Sequence, residues 1–134
     1  MTHAATLHIL DAADAAVAAP ALAEVLADCV HGGASVGFMA PLPVARALAF
    51  WQGVATGVAR GERLLLVARD ATGIVGTVQV VLAQPDNQPH RADVAKMLVH
   101  RRGRRQGTAA RLLAAAEDAA RAAGKTVLVL DTVT

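Results

Sequence analysis

The segment Val99-His100-Arg101-Arg102-Gly103-Arg104-Arg105-Gln106-Gly107-Thr108-Ala109 constrains this chain more than any other. It joins the end of an apolar strand pattern to the start of a long alanine-rich helix. Its inner part, Arg104-x-x-Gly107-x-Ala109, has the composition of a backbone loop that wraps a pyrophosphate. Small residues at 107, 108 and 109 let main-chain N–H groups approach a ligand closely. The first helical turn adds unpaired N–H donors and a partial positive charge. The Lys-Ser/Thr ending of a Walker loop is absent, as is the Gly-x-Gly-x-x-Gly of a dinucleotide fingerprint.

At 134 residues the chain has the length of one domain, 1–134, with a real core. Its 54% apolar content excludes general disorder, and much of that content is alanine, a helix former. The formal net charge is only +2, yet Arg101, Arg102, Arg104 and Arg105 lie together. Such a run reads either as a solvated basic loop or as a local attractor for a polyanion. The single cysteine, Cys29, excludes an internal disulfide and fits a reducing compartment; it falls on an apolar helix face, as packing. The N-terminus lacks a signal-peptide pattern, and no apolar run reaches membrane-spanning length. The expectation is a cytoplasmic protein without membrane or metal partners: the histidines show no ligand-like spacing.

Hydrophobic periodicity predicts a first strand over residues 7–10 and a helix from about Pro20 to a stop at His31-Gly32-Gly33. The Gly- and Pro-rich loop 32–43 carries Val36, Phe38 and Met39. It reads equally as a loop pinned by its own hydrophobic plug and as one that contacts substrate. A second helix is predicted over 43–59, with Val44, Leu48, Trp51, Ala55 and Val58 on one side. Strands 63–68 and 74–82 form a hairpin, a turn region spans 84–90, and a fourth strand covers 92–99. The long helix is placed at 105–123, with Ala109, Leu112, Leu113, Ala116 and Ala120 inward and Gly124 as its stop. A fifth strand at 126–131 completes the order β-α-α-β-β-β-α-β. The strand–helix–strand finish makes strands four and five parallel, with a ligand site beyond the carboxyl end of strand four.

This order, together with Arg104-Arg105-Gln106-Gly107-Thr108-Ala109, resembles the GNAT superfamily of acetyl-CoA-dependent N-acetyltransferases, whose loop is Gln/Arg-x-x-Gly-x-Gly/Ala. A closer resemblance is to tabtoxin-resistance-type acetyltransferases. It rests on Gly32-Gly33-Ala34-Ser35-Val36-Gly37-Phe38, on His90-Arg91-Ala92-Asp93-Val94-Ala95-Lys96, and on Leu130-Asp131-Thr132.

The resemblance implies an α/β mixed sheet of GNAT type and acetyl-CoA as co-substrate. Main-chain groups of Met97, Leu98 and Val99 would pair with the pantetheine arm. The N–H groups of Arg104, Arg105, Gln106, Gly107, Thr108 and Ala109 would hold the pyrophosphate. Asp93 and Asp131 would serve as bases for a small-molecule amine, and Ser35, Val36 and Phe38 would line its pocket. Family members continue past the fifth strand with a helix, which commonly supplies a thiolate-protonating Tyr, and two more strands. This sequence has no Tyr and runs to Thr134, so against that pattern it reads as truncated at the C-terminus. A dimer is expected, from the family's tendency and from an exposed strand edge. Two other readings stand beside the enzyme: a CoA-binding remnant without turnover, and a nucleic-acid module using residues 101–105. The modest charge and scarce aromatics weaken the last.

Overall fold

The computed structural model describes residues 5–33, 38–84 and 89–130. Its elements are β1 (Thr6–Leu10), α1 (Ala12–His31), α2 (Val44–Ala59), β2 (Arg63–Asp70), β3 (Gly73–Val81), β4 (Arg91–Val99), a 3-10 turn (Arg101–Gly103), α3 (Thr108–Ala122) and β5 (Val127–Leu130). The order of elements follows the sequence reading. Ser35, Val36 and Asp131, named there as site residues, lie outside the described residues.

The five strands stand in chain order, antiparallel from β1 to β4, with β5 added parallel to β4 through the α3 crossover. Side-chain alternation divides the core in two. Leu65, Val67, Ile74 and Leu98 pack under α1 and α2 with Leu22, Leu26 and Trp51. Leu66, Val75, Val78, Val80, Ala92 and Val94 pack under α3 with Leu112, Ala116 and Ala120. The sheet is thus covered on both faces, which accounts for the nearly unbroken burial of β3.

Helix α1 begins eight residues before the expected Pro20. Asp11 caps it, its side chain accepting the Asp14 N–H at 2.8 Å. Pro20 then lies inside the helix, where it removes a backbone bond at a cost of about 3 kcal/mol. It sits on the exposed side, while Ala15, Ala18, Ala19 and Leu22 are buried around it, so the helix continues. Two inward assignments also change: Val44 is exposed at the start of α2, and Ala109 is exposed at the start of α3, where Thr108 turns inward instead. At the far end Gly124 adopts φ +82° and donates to the Arg121 carbonyl, the expected helix stop.

Candidate active site

The loop leading into α3 is seated on β3 by close backbone contact. Gly103 is buried, and a Cβ placed on it would fall 2.8 Å from the Val75 Cβ. Gly76 takes the second contact: its added Cβ would meet Leu112 at 3.1 Å and Thr108 at 3.2 Å. The Thr108 hydroxyl donates to the Gly103 carbonyl at 3.1 Å, which turns that side chain into the core. The opposite side of the loop is open, with Arg104, Arg105, Gln106, Gly107 and Ala109 all exposed.

Gly107 opens α3 in the left-handed conformation (φ +73°), with no side-chain cap and no acidic residue in the first turn. Arg105 also has positive φ, +64°. Among the described residues, none of the main-chain N–H groups of residues 105–110 has an acceptor in hydrogen-bonding geometry. Helix α1 satisfies its own start with Asp11; α3 leaves its start unsatisfied, with the positive end of its dipole facing solvent. That is the electrostatics of an anion cradle.

Beside the loop, β4 carries a bulge that the sequence reading missed. Gln79 pairs with Ala95 and Thr77 with Leu98, so Lys96 and Met97 on β4 oppose the single Val78 on β3. Lys96 takes up the extra length at φ +52°. The bulge inverts the alternation: Ala92 and Val94 face α3, then Met97 and Val99 do, leaving Leu98 toward α1. A spacing of three between the apolar residues Val94 and Met97, in place of two, is its signal in the sequence. Strand β5 pairs only with Arg91, Ala92, Asp93 and Val94. Among the described residues the β5 ladder thus ends at Val94, and Met97 and Leu98 lie beyond it, directly before the open amides. The Val99 carbonyl accepts from Arg104 Nε at 3.1 Å and from the Cys29 thiol at 3.5 Å.

Three of the four clustered arginines are tied to other residues, although Arg101 and Arg104 stay exposed. Arg101 donates to Asp28 through its main-chain N–H (2.9 Å) and its Nε. Arg102 reaches Glu24 at 2.9 Å, the Ile74 carbonyl at 2.7 Å and the Thr72 hydroxyl at 3.0 Å. Arg104 holds the Val99 carbonyl and lies 3.8 Å from Asp28. They clamp the loop to the acidic side of α1. Burial of the Asp28 carboxylate pushes its pKa up, but the Arg101 main-chain N–H and guanidinium and nearby His100 outweigh burial and leave it below the ordinary carboxylate value. His100 accepts the Arg102 N–H on Nδ1 and turns Nε2 toward Glu24 and Asp28, 3.8 Å from each. It is a structural contact of the clamp. Burial raises the Cys29 thiol, partly offset by Arg104, as suits a packing residue.

Asp93 lies on β4 before the bulge, partly buried, with Arg91 on both oxygens at 2.7 and 3.3 Å. Phe38 meets Phe50 edge-to-face at 5.3 Å, with Arg46 and Lys96 over its ring at 5.3 and 5.9 Å. Phe38, ahead of α2, is therefore next to Lys96 of the bulge. Surface clefts elsewhere, such as one of about 350 Å³ between α3 and β5 lined by Glu117, Arg121 and Leu128, hold none of these residues. Among the described residues no His, Cys, Asp or Glu side chains gather as a metal site, and no helix is long and apolar enough to cross a membrane.

A bulged strand running into an uncapped helix beside a parallel partner, in a five-stranded sheet covered on both faces, defines a mixed α/β fold. The acetyltransferase (GNAT) family model matches residues 29–134, and the chain belongs to that family. It is 35% identical over 112 residues to an uncharacterized N-acetyltransferase in the hisH-hisA intergenic region of Azospirillum brasilense, a match covering 82% of this chain and 65% of that protein. The chain thus spans somewhat less than two thirds of this curated relative. In fold it is similar to YncA of Salmonella typhimurium, a structure with its cofactor acetyl-CoA (21% identity, TM-score 0.68, 94% of this chain and 68% of that one). It is also similar to an N-acetyltransferase from Staphylococcus aureus Mu50 (18% identity, TM-score 0.71, 94% and 72%).

Proposed function

We propose that this chain is the acetyl-CoA-binding and catalytic unit of an N-acetyltransferase that acetylates a small-molecule amine by direct attack in a ternary complex. One observation carries the reading: the open amides of residues 105–110 stand next to Met97 and Leu98 on the bulged part of β4, beyond the end of the β5 ladder among the described residues. The amides fit a diphosphate, and this part of β4 fits an extended amide-bearing arm that adds like a strand. Acetyl-CoA supplies the acetyl group, activated as a thioester.

Within this reading the chain's own residues divide the work. The main chain of Arg104, Arg105, Gln106, Gly107, Thr108 and Ala109 holds the pyrophosphate, and Met97, Leu98 and Val99 orient the pantetheine. A main-chain N–H near Leu98 stabilises negative charge on the acyl oxygen. Asp93 takes the ammonium proton of the acceptor, directly or through water, and Asp131 is the second candidate base. Phe38, with Ser35 and Val36, borders the acceptor side. Similarity to the tabtoxin-resistance type, a dimeric state and a cytoplasmic location belong to the same proposal. Exposed Val127 and Leu130 on β5 support association, and the single buried Cys29 supports a reducing compartment.

Acetyl-CoA at a hundredfold excess over its Kd adds roughly 2.7 kcal/mol of stability. It should raise the melting temperature of the chain by several degrees, and Gly107→Glu should abolish the rise. No rise at millimolar acetyl-CoA contradicts the reading. The engagement of both Asp93 oxygens by Arg91 favours a second one, CoA binding without turnover. Acetyl-CoA binding without CoA release across a panel of amines would select it.

A further inference from the structure

The last peptide of β4 has a defined direction. The His100 N–H donates to the Val75 carbonyl on β3 at 2.8 Å. In a trans peptide the N–H and C=O point opposite ways, so the Val99 carbonyl points away from β3. That is the side on which β5 lies along the earlier part of β4. Among the described residues two donors meet this carbonyl, Arg104 Nε at 3.1 Å and the Cys29 thiol at 3.5 Å. A carbonyl oxygen has two lone pairs, and both are engaged here. The thiol comes from α1, where Cys29 is buried, and it is a weak donor. The Arg104 side chain comes from the loop and is 48% exposed, so it covers the side that a ligand can reach.

The same guanidinium has a second resting place. Its Nη2 lies 3.8 Å from Asp28 Oδ2, and a Cβ added at Gly32, the C-cap of α1, would fall 4.0 Å from that nitrogen. It therefore stands at the negative end of the α1 dipole, beside a carboxylate. A strand-like arm pairs through backbone groups that point outward, and Arg104 sits on one of them. We infer that Arg104 is a latch: its Nε and an amide N–H of the pantetheine arm compete for the Val99 carbonyl. The arm pairs with Val99 only as Arg104 lets go, and the released guanidinium closes the gap to Asp28. Arg104 is thus a positioning residue that acts through Val99 and weakens the grip on the arm, while the main-chain N–H groups beside it serve the diphosphate. This inference rests on the acetyltransferase reading and adds a control on its cofactor site.

Two halves of the cofactor test the latch separately. S-acetylpantetheine has the arm without the diphosphate, and ADP has a diphosphate without the arm. Amide NMR titration of the labelled chain gives both dissociation constants. Arg104→Met removes the donor and keeps much of the side-chain length. It should tighten S-acetylpantetheine by roughly three- to tenfold, the worth of one hydrogen bond, and leave ADP equal or weaker. A merely structural role would loosen both. Arg104→Lys keeps a cationic donor and should return S-acetylpantetheine toward the wild-type affinity. In the wild type the Arg104 Nε–Hε resonance should shift as S-acetylpantetheine saturates and stay in place with ADP. Should Arg104→Met fail to fold, this resonance decides alone. An unmoved resonance, or S-acetylpantetheine bound no tighter by a folded Arg104→Met, overturns the latch and leaves acetyl transfer standing. If acetyl-CoA itself does not bind, both fall.

Discussion

The Cα of Gly103 lies so close to Val75 that a side chain on the glycine would begin 2.8 Å from the valine Cβ. This contact presses the loop onto β3 and turns its amides outward. Gly103→Ala should therefore destabilise the fold by about 1–3 kcal/mol, as overpacking does. It should also weaken acetyl-CoA binding. Denaturant midpoints and an acetyl-CoA titration of the variant check both effects.

Gly107 makes the opposite case, since nothing lies within 4 Å of its added Cβ and only its φ of +73° demands glycine. Gly107→Ala should cost about 1–2 kcal/mol through backbone strain alone. The alanine variant should retain weakened acetyl-CoA binding, while Gly107→Glu should lose it through charge as well. Calorimetry on the two variants separates strain from repulsion.

Lys96 holds the bulge at φ +52°. A β-branched residue tolerates that conformation poorly, so Lys96→Val should cost about 1–3 kcal/mol and diminish acetyl-CoA binding. Lys96→Gly accepts the backbone and should keep binding, at the loss of the contact over Phe38. Thermal melts with and without acetyl-CoA distinguish the two.

Asp28 ties α1 to the loop, and its pKa is lowered in the fold. A depressed carboxylate stabilises the protein above its unfolded pKa, near 3.9, and that contribution disappears as pH falls through the lower folded value. The stability gap between the wild type and Asp28→Asn should be full at pH 6 and close progressively below about pH 4. Urea unfolding across pH 2.5–7 measures it; a gap that widens on acidification contradicts the clamp.

Asp93→Asn should lower kcat at least tenfold, within the range of general-base effects. It should leave the acetyl-CoA-induced rise in melting temperature intact. Unchanged turnover would remove Asp93 from the mechanism.

Much of this was readable in the residues. Apolar spacing at Leu22, Val25, Leu26 and Cys29 and at Leu112, Ala116 and Ala120 locates the helix faces that are buried. Arg104-x-x-Gly107-x-Ala109 marks the uncapped start of α3 because Gly107 encodes its left-handed backbone directly. What escaped is tertiary. Pro20 reads as a helix start, yet alanine propensity and burial carry α1 through it from the Asp11 cap. The arginine run gave no hint that Glu24 and Asp28, more than seventy residues earlier, would bind Arg101 and Arg102. The hydrogen bond from Arg63 on β2 to Gln79 on β3 was invisible because each residue alone reads as an ordinary polar strand position.

Amide NMR with acetyl-CoA tests the central claim most directly. In a titration of the labelled chain, the account predicts the largest 1H–15N shift changes at residues 105–110, with a second set at Met97, Leu98 and Val99. Saturable binding that leaves these amides unmoved and perturbs another surface would contradict it.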